Sequence, residues 1–162
     1  MFIIGIIANA SHAKKIKKEL EGSINAEVIL INDKSIENIK NIQFEVIIMQ
    51  NLIESLKEKR TYLKTILKNT KYLLLNADLN IESNLFEKTR AKILTYGLKQ
   101  KSTITISSIE ESQAIISIQR SFQDFKGKLI EQQEIPMQIN EKESNFIYNL
   151  LIKTAIININ GG

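Results

Sequence analysis

The sequence contains no cysteine, which excludes disulfides, thiolate metal sites and a cysteine nucleophile. It contains one histidine, His12, so a metal site built from several histidines of one chain is excluded as well. A single proline, Pro136, leaves no proline-rich linker. No apolar run approaches the ~20 residues that a membrane-spanning helix needs. The apolar opening, Met1 to Ala10, lacks the basic leader and cleavage site of a signal peptide, and a cytoplasmic protein is the expectation.

What is present describes an ordinary globule. The chain has 162 residues, 43% of them hydrophobic and 25% charged, which suits one domain with its own core over residues 1–162. The net charge of +4 is mildly basic. Abundant Ile, Lys and Asn fit an AT-rich bacterial genome and account for that charge without a nucleic-acid partner.

Apolar runs alternate with amphipathic stretches through the first two-thirds. Phe2 to Ala8 is a continuous Ile-rich run, as in a strand buried on both faces. Ser11 is placed to cap a helix running to about Leu20. Glu27 to Ile31 and Phe44 to Met49 read as the next strands, with a short polar helix over 34–40 between them. Leu52, Leu56, Leu63 and Leu67 line one side of a helix, and Lys57, Arg60, Lys64, Lys68 and Lys71 line the other. Tyr72 to Asn76 and Ala91 to Tyr96 read as strands, and the alternation in Thr103 to Ile106 predicts a half-exposed, peripheral one. Beyond about residue 100 the character changes. Strands are predicted over 112–120 and 128–139 around a turn at Asp124-Phe125-Lys126-Gly127, followed by a helix from about Glu141 to Ile157 that ends at Gly161-Gly162. Strands alternating with helices predict an α/β fold: a mostly parallel twisted sheet flanked by helices, with a β-rich C-terminal part and a final helix. That helix carries more apolar side chains than one face needs, so it serves either the core or a contact with a second chain.

In an open parallel sheet, ligands bind at the carboxyl ends of the strands. The first such end offers Asn9, Ser11 and His12 at a helix start, without the glycines that let backbone N–H groups converge on a phosphate. An ordinary strand-to-helix turn is the plainer reading, and a surface histidine is the plainer reading of His12. Asn76 and Asp78 follow the fourth strand, where they either hold a nucleotide or form a turn. Asp33, after the second strand, either meets a ribose hydroxyl or caps the next helix. The lysine stripe of 57–71 contacts phosphates or faces solvent, and no aromatic platform interleaves with it.

Several segments, taken in order, resemble the central ATPase domain of the Mur ligase family, which includes folylpolyglutamate and cyanophycin synthetases. Tyr72 to Asn80 (YLLLNADLN) with Ala91 to Gly97 (AKILTYG) resembles the family strand ending in Asn-Ala-Asp-Asp and the next one ending in Thr-Tyr-Gly. Ser102 to Ile109 resembles the segment that follows there, and Phe44 to Leu52 resembles the strand ending in Thr-Asn-Leu. Ile135-Pro136-Met137 and Asn145 to Leu151 resemble the entry to the last helix of that domain. Gly5 to Leu20 can be laid over the family's Gly-x-Thr-Gly-x-x-Gly-Lys-Thr helix start.

The departures matter most for function. On this resemblance His12 stands at the phosphate-binding Lys and Ala13 at the Mg²⁺-binding Thr. The family's Asp-His pair falls near Ile53-Glu54-Ser55, where only Glu54 is able to bind a cation. Leu79 replaces the second Asp after Asp78, and Phe146 stands at the first Asn of the adenine-contacting pair, with Asn145 one step away and Asn149 at the second. Lys64 falls loosely at the carbamylated lysine.

On this resemblance the chain is expected to correspond to the central domain alone, without the family's flanking substrate domains. The resemblance therefore implies a degenerate, truncated relative with no catalytic residues, no metal site and weak or no ATP and Mg²⁺ binding. Such a domain acts on a protein partner or a second copy of itself, in a cell-wall or poly-amino-acid context. Alternatives are a nucleotide or other small-ligand domain using vestigial Asn9, Ser11, His12, Asn76, Asp78, Asn145 and Asn149, and one subunit of a split ATP-dependent amide ligase.

Overall fold

A computed structural model describes residues 2–81 and 83–161, with the side chain of Ser83 left out. The chain divides into two compact units, Met1–Ile93 and Leu94–Gly162.

In the first unit, β1 (Phe2–Ile7), β2 (Ala26–Leu30), β3 (Val46–Met49) and β4 (Tyr72–Asn76) run parallel in the order β4-β3-β1-β2. Every residue of β3 and β4 is buried, which is why these strands are continuous apolar runs rather than alternating ones. Gly5 lies inside β1, opposite Ile29 of β2 and Ile47 of β3. Its missing Cβ is required by packing, since one built there would lie 2.5 Å from Ile31 Cδ1 and 3.1 Å from a Phe44 ring carbon.

The helices of this unit are α1 (Ala10–Glu21), the single turn α2 (Ile36–Ile39), α3 (Glu54–Lys57) and α4 (Arg60–Asn69). α1 buries His12, Ala13, Ile16 and Leu20 at helical spacing. Its N-cap is Asn9, so Ser11 is an exposed residue of the first turn and not the cap. The single helix predicted over 52–67 is broken. The Lys59 amide donates back three residues to the Leu56 carbonyl, and Lys59 itself leaves helical geometry at φ −102, ψ 27. Leu56, Leu63 and Leu67 are buried on both sides of the break, so the leucine spacing survives it. A short 3-10 turn, Ser83–Phe86, packs on α4.

The second unit holds β5 (Lys92–Tyr96), whose first two residues belong to the first unit, β6 (Ile104–Ile109), β7 (Gln113–Ile118) and β10 (Gln133–Gln138). β5 pairs parallel with β6, and β6 with β7 and β7 with β10 pair antiparallel. The proline sits on β10, an edge strand, where its missing donor costs least. Thr103 to Ile106 proves less peripheral than its alternation predicted: Thr103, Ile104 and Thr105 are buried. Their hydroxyls are satisfied locally, Thr105 donating to the Gly97 carbonyl at 2.6 Å and Thr103 lying 3.4 Å from the Thr95 hydroxyl.

Between β7 and β10 the chain makes a separate hairpin of β8 (Phe122–Gln123) and β9 (Leu129–Ile130) around the expected turn. Buried Asp124 organises it, its Oδ1 accepting from the Lys126 amide at 2.9 Å and the Lys128 amide at 2.8 Å. The final helix, α5 (Ser144–Asn160), ends on left-handed Gly161 at φ 93. Ile147, Leu151, Ile152, Ala155, Ile156 and Ile159 are all buried, so most of its apolar excess is absorbed by the core.

The expected class is the observed one: a mostly parallel sheet with flanking helices, a β-rich C-terminal part and a final helix. No helix of the described residues is long and apolar enough to cross a membrane.

Candidate functional site

Strand order places the topological switch point of the first unit between β1 and β3, because the chain leaves β1 toward β2 on one side and returns to β3 on the other. Two segments meet there: Ala8-Asn9 after β1, and Gln50-Asn51 after β3.

The β1–α1 connection is short. β1 remains in its ladder through Ile7, opposite Met49, and α1 begins at Ala10 with the Ala13 amide donating to the Asn9 carbonyl at 2.8 Å. Only Ala8 and Asn9 lie between strand and helix. The two segments are tied directly. The Gln50 and Asn51 amides both donate to the Ile7 carbonyl, at 2.9 and 3.3 Å, and the Asn9 amide donates to Asn51 Oδ1 at 3.3 Å. The tie extends to β4: Asn76, buried, donates from Nδ2 to the Gln50 carbonyl at 3.3 Å and accepts from the Asp78 amide at 3.0 Å on Oδ1. The second contact is an Asx turn. Asn9, Asn76 and the Asp78 backbone thus belong to one network through Gln50 and Asn51.

The other sequence-derived candidates fall as follows. Ser11 is exposed on α1. His12 is buried at 7% exposure, correcting the surface histidine expected there; the amphipathic phase of α1 turns it inward with Ala13 and Ile16. Asp33 does not cap α2. Its N-cap is Ser35; Asn32 Oδ1 accepts from the Lys34 and Ser35 amides in the turn before the helix, and Asp33 accepts from the Ser55 hydroxyl at 3.3 Å. Glu54 pairs with Lys57 on the exposed face of α3. Lys64 is exposed on α4. Asn145 and Asn149 belong to the second unit, one turn apart at the start of α5, the first exposed and the second buried. Asn51 was missed as a site residue; its signal was present in Gln50-Asn51-Leu52, the match to the family's Thr-Asn-Leu.

A cavity of about 270 Å³ opens beside the carboxyl ends of β1 and β2. Ile6, Ala8, Ala13, Ile31 and Ile53 make its apolar lining, with Asp33 and Lys14 among the charged residues that also line it.

These positions do not fit magnesium and a nucleoside triphosphate at the start of α1. A phosphate-binding loop wraps successive backbone N–H groups around the phosphates, which takes a run of residues outside regular structure. Here Gly5, Ile6 and Ile7 are held in the sheet, and the side chains at the Lys and Thr positions, His12 and Ala13, are buried. Among the described residues no three His, Asp or Glu side chains converge as a metal site.

No family model matches the sequence, and no curated protein matches it either. Solved structures do match. The apo-structure of D-lactate dehydrogenase from Escherichia coli aligns over 58% of this chain and 30% of its own at 17% identity, with a TM-score of 0.39, below the level of a shared fold. The UDP-N-acetylmuramate-alanine ligase MurC of Thermotoga maritima aligns over 99% of this chain at 15% identity, with a TM-score of 0.57. At such identity the likeness establishes the fold alone: the chain has a Mur-ligase-like α/β fold and spans 41% of that ligase's length.

Proposed function

We propose that this chain is a degenerate Mur-ligase-like domain that performs no ATP-dependent ligation and acts by binding a protein partner or a second copy of itself. The observation that carries this reading is the two-residue connection Ala8-Asn9 between β1 and α1. Amide-bond formation through an acyl phosphate needs the charge of MgATP to be neutralised at a positioned site. A turn this short, with its Asn9 amide engaged by Asn51, does not encircle a phosphate. The burial of His12 and Ala13 adds to this, since it commits both positions to packing. The cell-wall or poly-amino-acid context rests on the fold likeness and the motif resemblance together.

A thermal-shift series with ATP, ADP and AMP, each with and without magnesium, tests the reading. A ligand that binds the folded state at a hundredfold excess over its Kd stabilises it by about 2.7 kcal/mol, an easily read shift. The expected result is no shift that requires magnesium; a rise with ATP that appears only when magnesium is present contradicts the proposal.

A second reading draws on the cavity beside β1 and β2. Its apolar lining and the Asp33 carboxylate suit a small ligand that presents a hydroxyl, and the carboxyl ends of parallel strands are where such ligands bind. In the same series a magnesium-independent shift with AMP, lost in Asp33→Ala, favours this reading over the first.

A further inference from the structure

Positive charge is unevenly distributed. Residues 1–93 hold 15 Lys and Arg against 11 Asp and Glu, whereas residues 94–162 hold seven of each. The first unit therefore carries the whole excess, and part of it converges on one concavity. A groove of about 280 Å³ runs between α4 and the 84–89 segment, with Lys64, Lys68 and Lys88 among its lining residues.

Two features separate this groove from an ordinary solvated helix face. The first is the absence of neutralisation. Lysines just before and after α4 have carboxylate partners: Lys57 with Glu54, Lys59 with Glu37 and Lys71 with Glu45. Lys64, Lys68 and Lys88 have none among the described residues, and Glu87 is the one acidic residue of the lining. Three ammonium groups around one small concavity repel one another, and an anion placed among them removes that repulsion. The second is that both walls are fixed. Arg60 on α4 donates to Asn84 Oδ1 on the facing turn, and Thr89 donates from its hydroxyl to the Leu67 carbonyl at 2.7 Å while accepting from the Ala91 amide at 3.2 Å.

We propose that this groove binds a small phosphorylated ligand through Lys64, Lys68 and Lys88. The donor chemistry selects phosphate over carboxylate. The lining has no arginine, hence no planar fork for a bidentate carboxylate, whereas lysine ammonium groups hold phosphate oxygens as point charges. The size selects a small molecule, because about 280 Å³ suits a di- or triphosphate moiety rather than a docked helix. This site lies on α4, apart from the β1–α1 turn, so it stands or falls independently of the function proposed above.

The test is a titration of the full ¹⁵N-labelled chain with inorganic pyrophosphate at low salt, read by amide chemical shifts. Sulfate and a poly-glutamate peptide serve as separate arms. The expected result is saturable shifts confined to residues 61–68 and 84–89, weakened about tenfold or more in Lys64→Gln/Lys68→Gln and by added salt. Lys64→Arg/Lys68→Arg retains most of the affinity and reports whether charge alone is read. Saturation by poly-glutamate without pyrophosphate binding would overturn the proposal. So would equal, non-saturating shifts with sulfate and pyrophosphate, or shifts centred on Lys14 to Lys18 of α1. The substituted lysines are exposed, and an unchanged thermal melt confirms that a lost response is not lost folding.

Discussion

Replacing Gly5 with alanine separates a glycine held by packing from a glycine kept for a phosphate loop. In the structure a Cβ at this position would lie 2.5 Å from Ile31 Cδ1 and 3.1 and 3.2 Å from two Phe44 ring carbons. Ile31 is 2% exposed and Phe44 fully buried, so neither yields into solvent. Overpacking of this kind costs about 1–3 kcal/mol. Alanine recovers about 0.5–1 kcal/mol through the restricted unfolded chain. Because an approach of 2.5 Å is far inside van der Waals contact, the overlap cost falls in the upper half of the overpacking range, and the net expectation for Gly5→Ala is a loss of about 1–2.5 kcal/mol, which lowers Tm by about 2–10 °C in a chain of this size. The assay is urea unfolding, completed as a double-mutant cycle with Ile31→Val, which removes the atom in closest conflict. Ile31→Val alone costs about 0.5–1.5 kcal/mol, and the pair should cost clearly less than the sum, because the new methyl occupies the space vacated. A Gly5→Ala change within about 0.5 kcal/mol of zero, or additive effects in the cycle, would refute the packing argument and with it the extension of β1 through Ile7.

Three further outcomes follow from the same geometry. Asn76→Ala removes the donor to the Gln50 carbonyl and the acceptor of the Asp78 amide, and equilibrium unfolding should show a loss of about 1–3 kcal/mol. Asp124→Ala should cost a similar ~1–3 kcal/mol by releasing the Lys126 and Lys128 amides, and the loss of hydrogen-exchange protection should centre on the 122–130 hairpin. Lys59 lies 2.6 Å from Glu37, and its hydrogen bond, then its charge, holds the Glu37 carboxyl below the ordinary value. Because the folded-state pKa is the lower one, the pair's contribution is present above the unfolded value and fades as pH falls through the folded one. NMR titration should place Glu37 below the ordinary glutamate value, and Lys59→Met should move it back toward that value.

Much of the fold was legible because buried parallel strands leave continuous apolar runs. Tyr72 to Asn76 was bounded correctly from sequence, and Phe2 to Ala8 to within a residue. The errors have physical causes. The break at Glu58-Lys59 is invisible in the leucine spacing, which continues across it through Leu56 and Leu63. Thr103 and Thr105 read as solvent-facing, yet a threonine whose hydroxyl has a local partner is easily buried. His12 read as a surface residue by type, whereas the phase of α1 fixes it inside. At the candidate site Asn76 and Asp78 were legible from their place after a strand. Asn51 was marked only by the motif match at Gln50-Asn51-Leu52, because its part is a side-chain contact to a backbone amide 42 residues away that no local pattern encodes. The lysine stripe was visible from spacing alone. The convergence of Lys64 and Lys68 with Lys88 depends on how the 83–89 segment lies against α4, which no local pattern encodes.

The function proposed for this chain turns on whether the carboxyl end of β1 holds a nucleoside triphosphate with its metal. Isothermal titration calorimetry of the protein with ATP, run in parallel in excess magnesium and in a chelator, measures this directly. The expected result is that no binding requires magnesium; salt-sensitive heats that are stronger in the chelator, where ATP carries more charge, belong to the lysine groove on α4. Micromolar binding that appears only with magnesium would contradict that expectation.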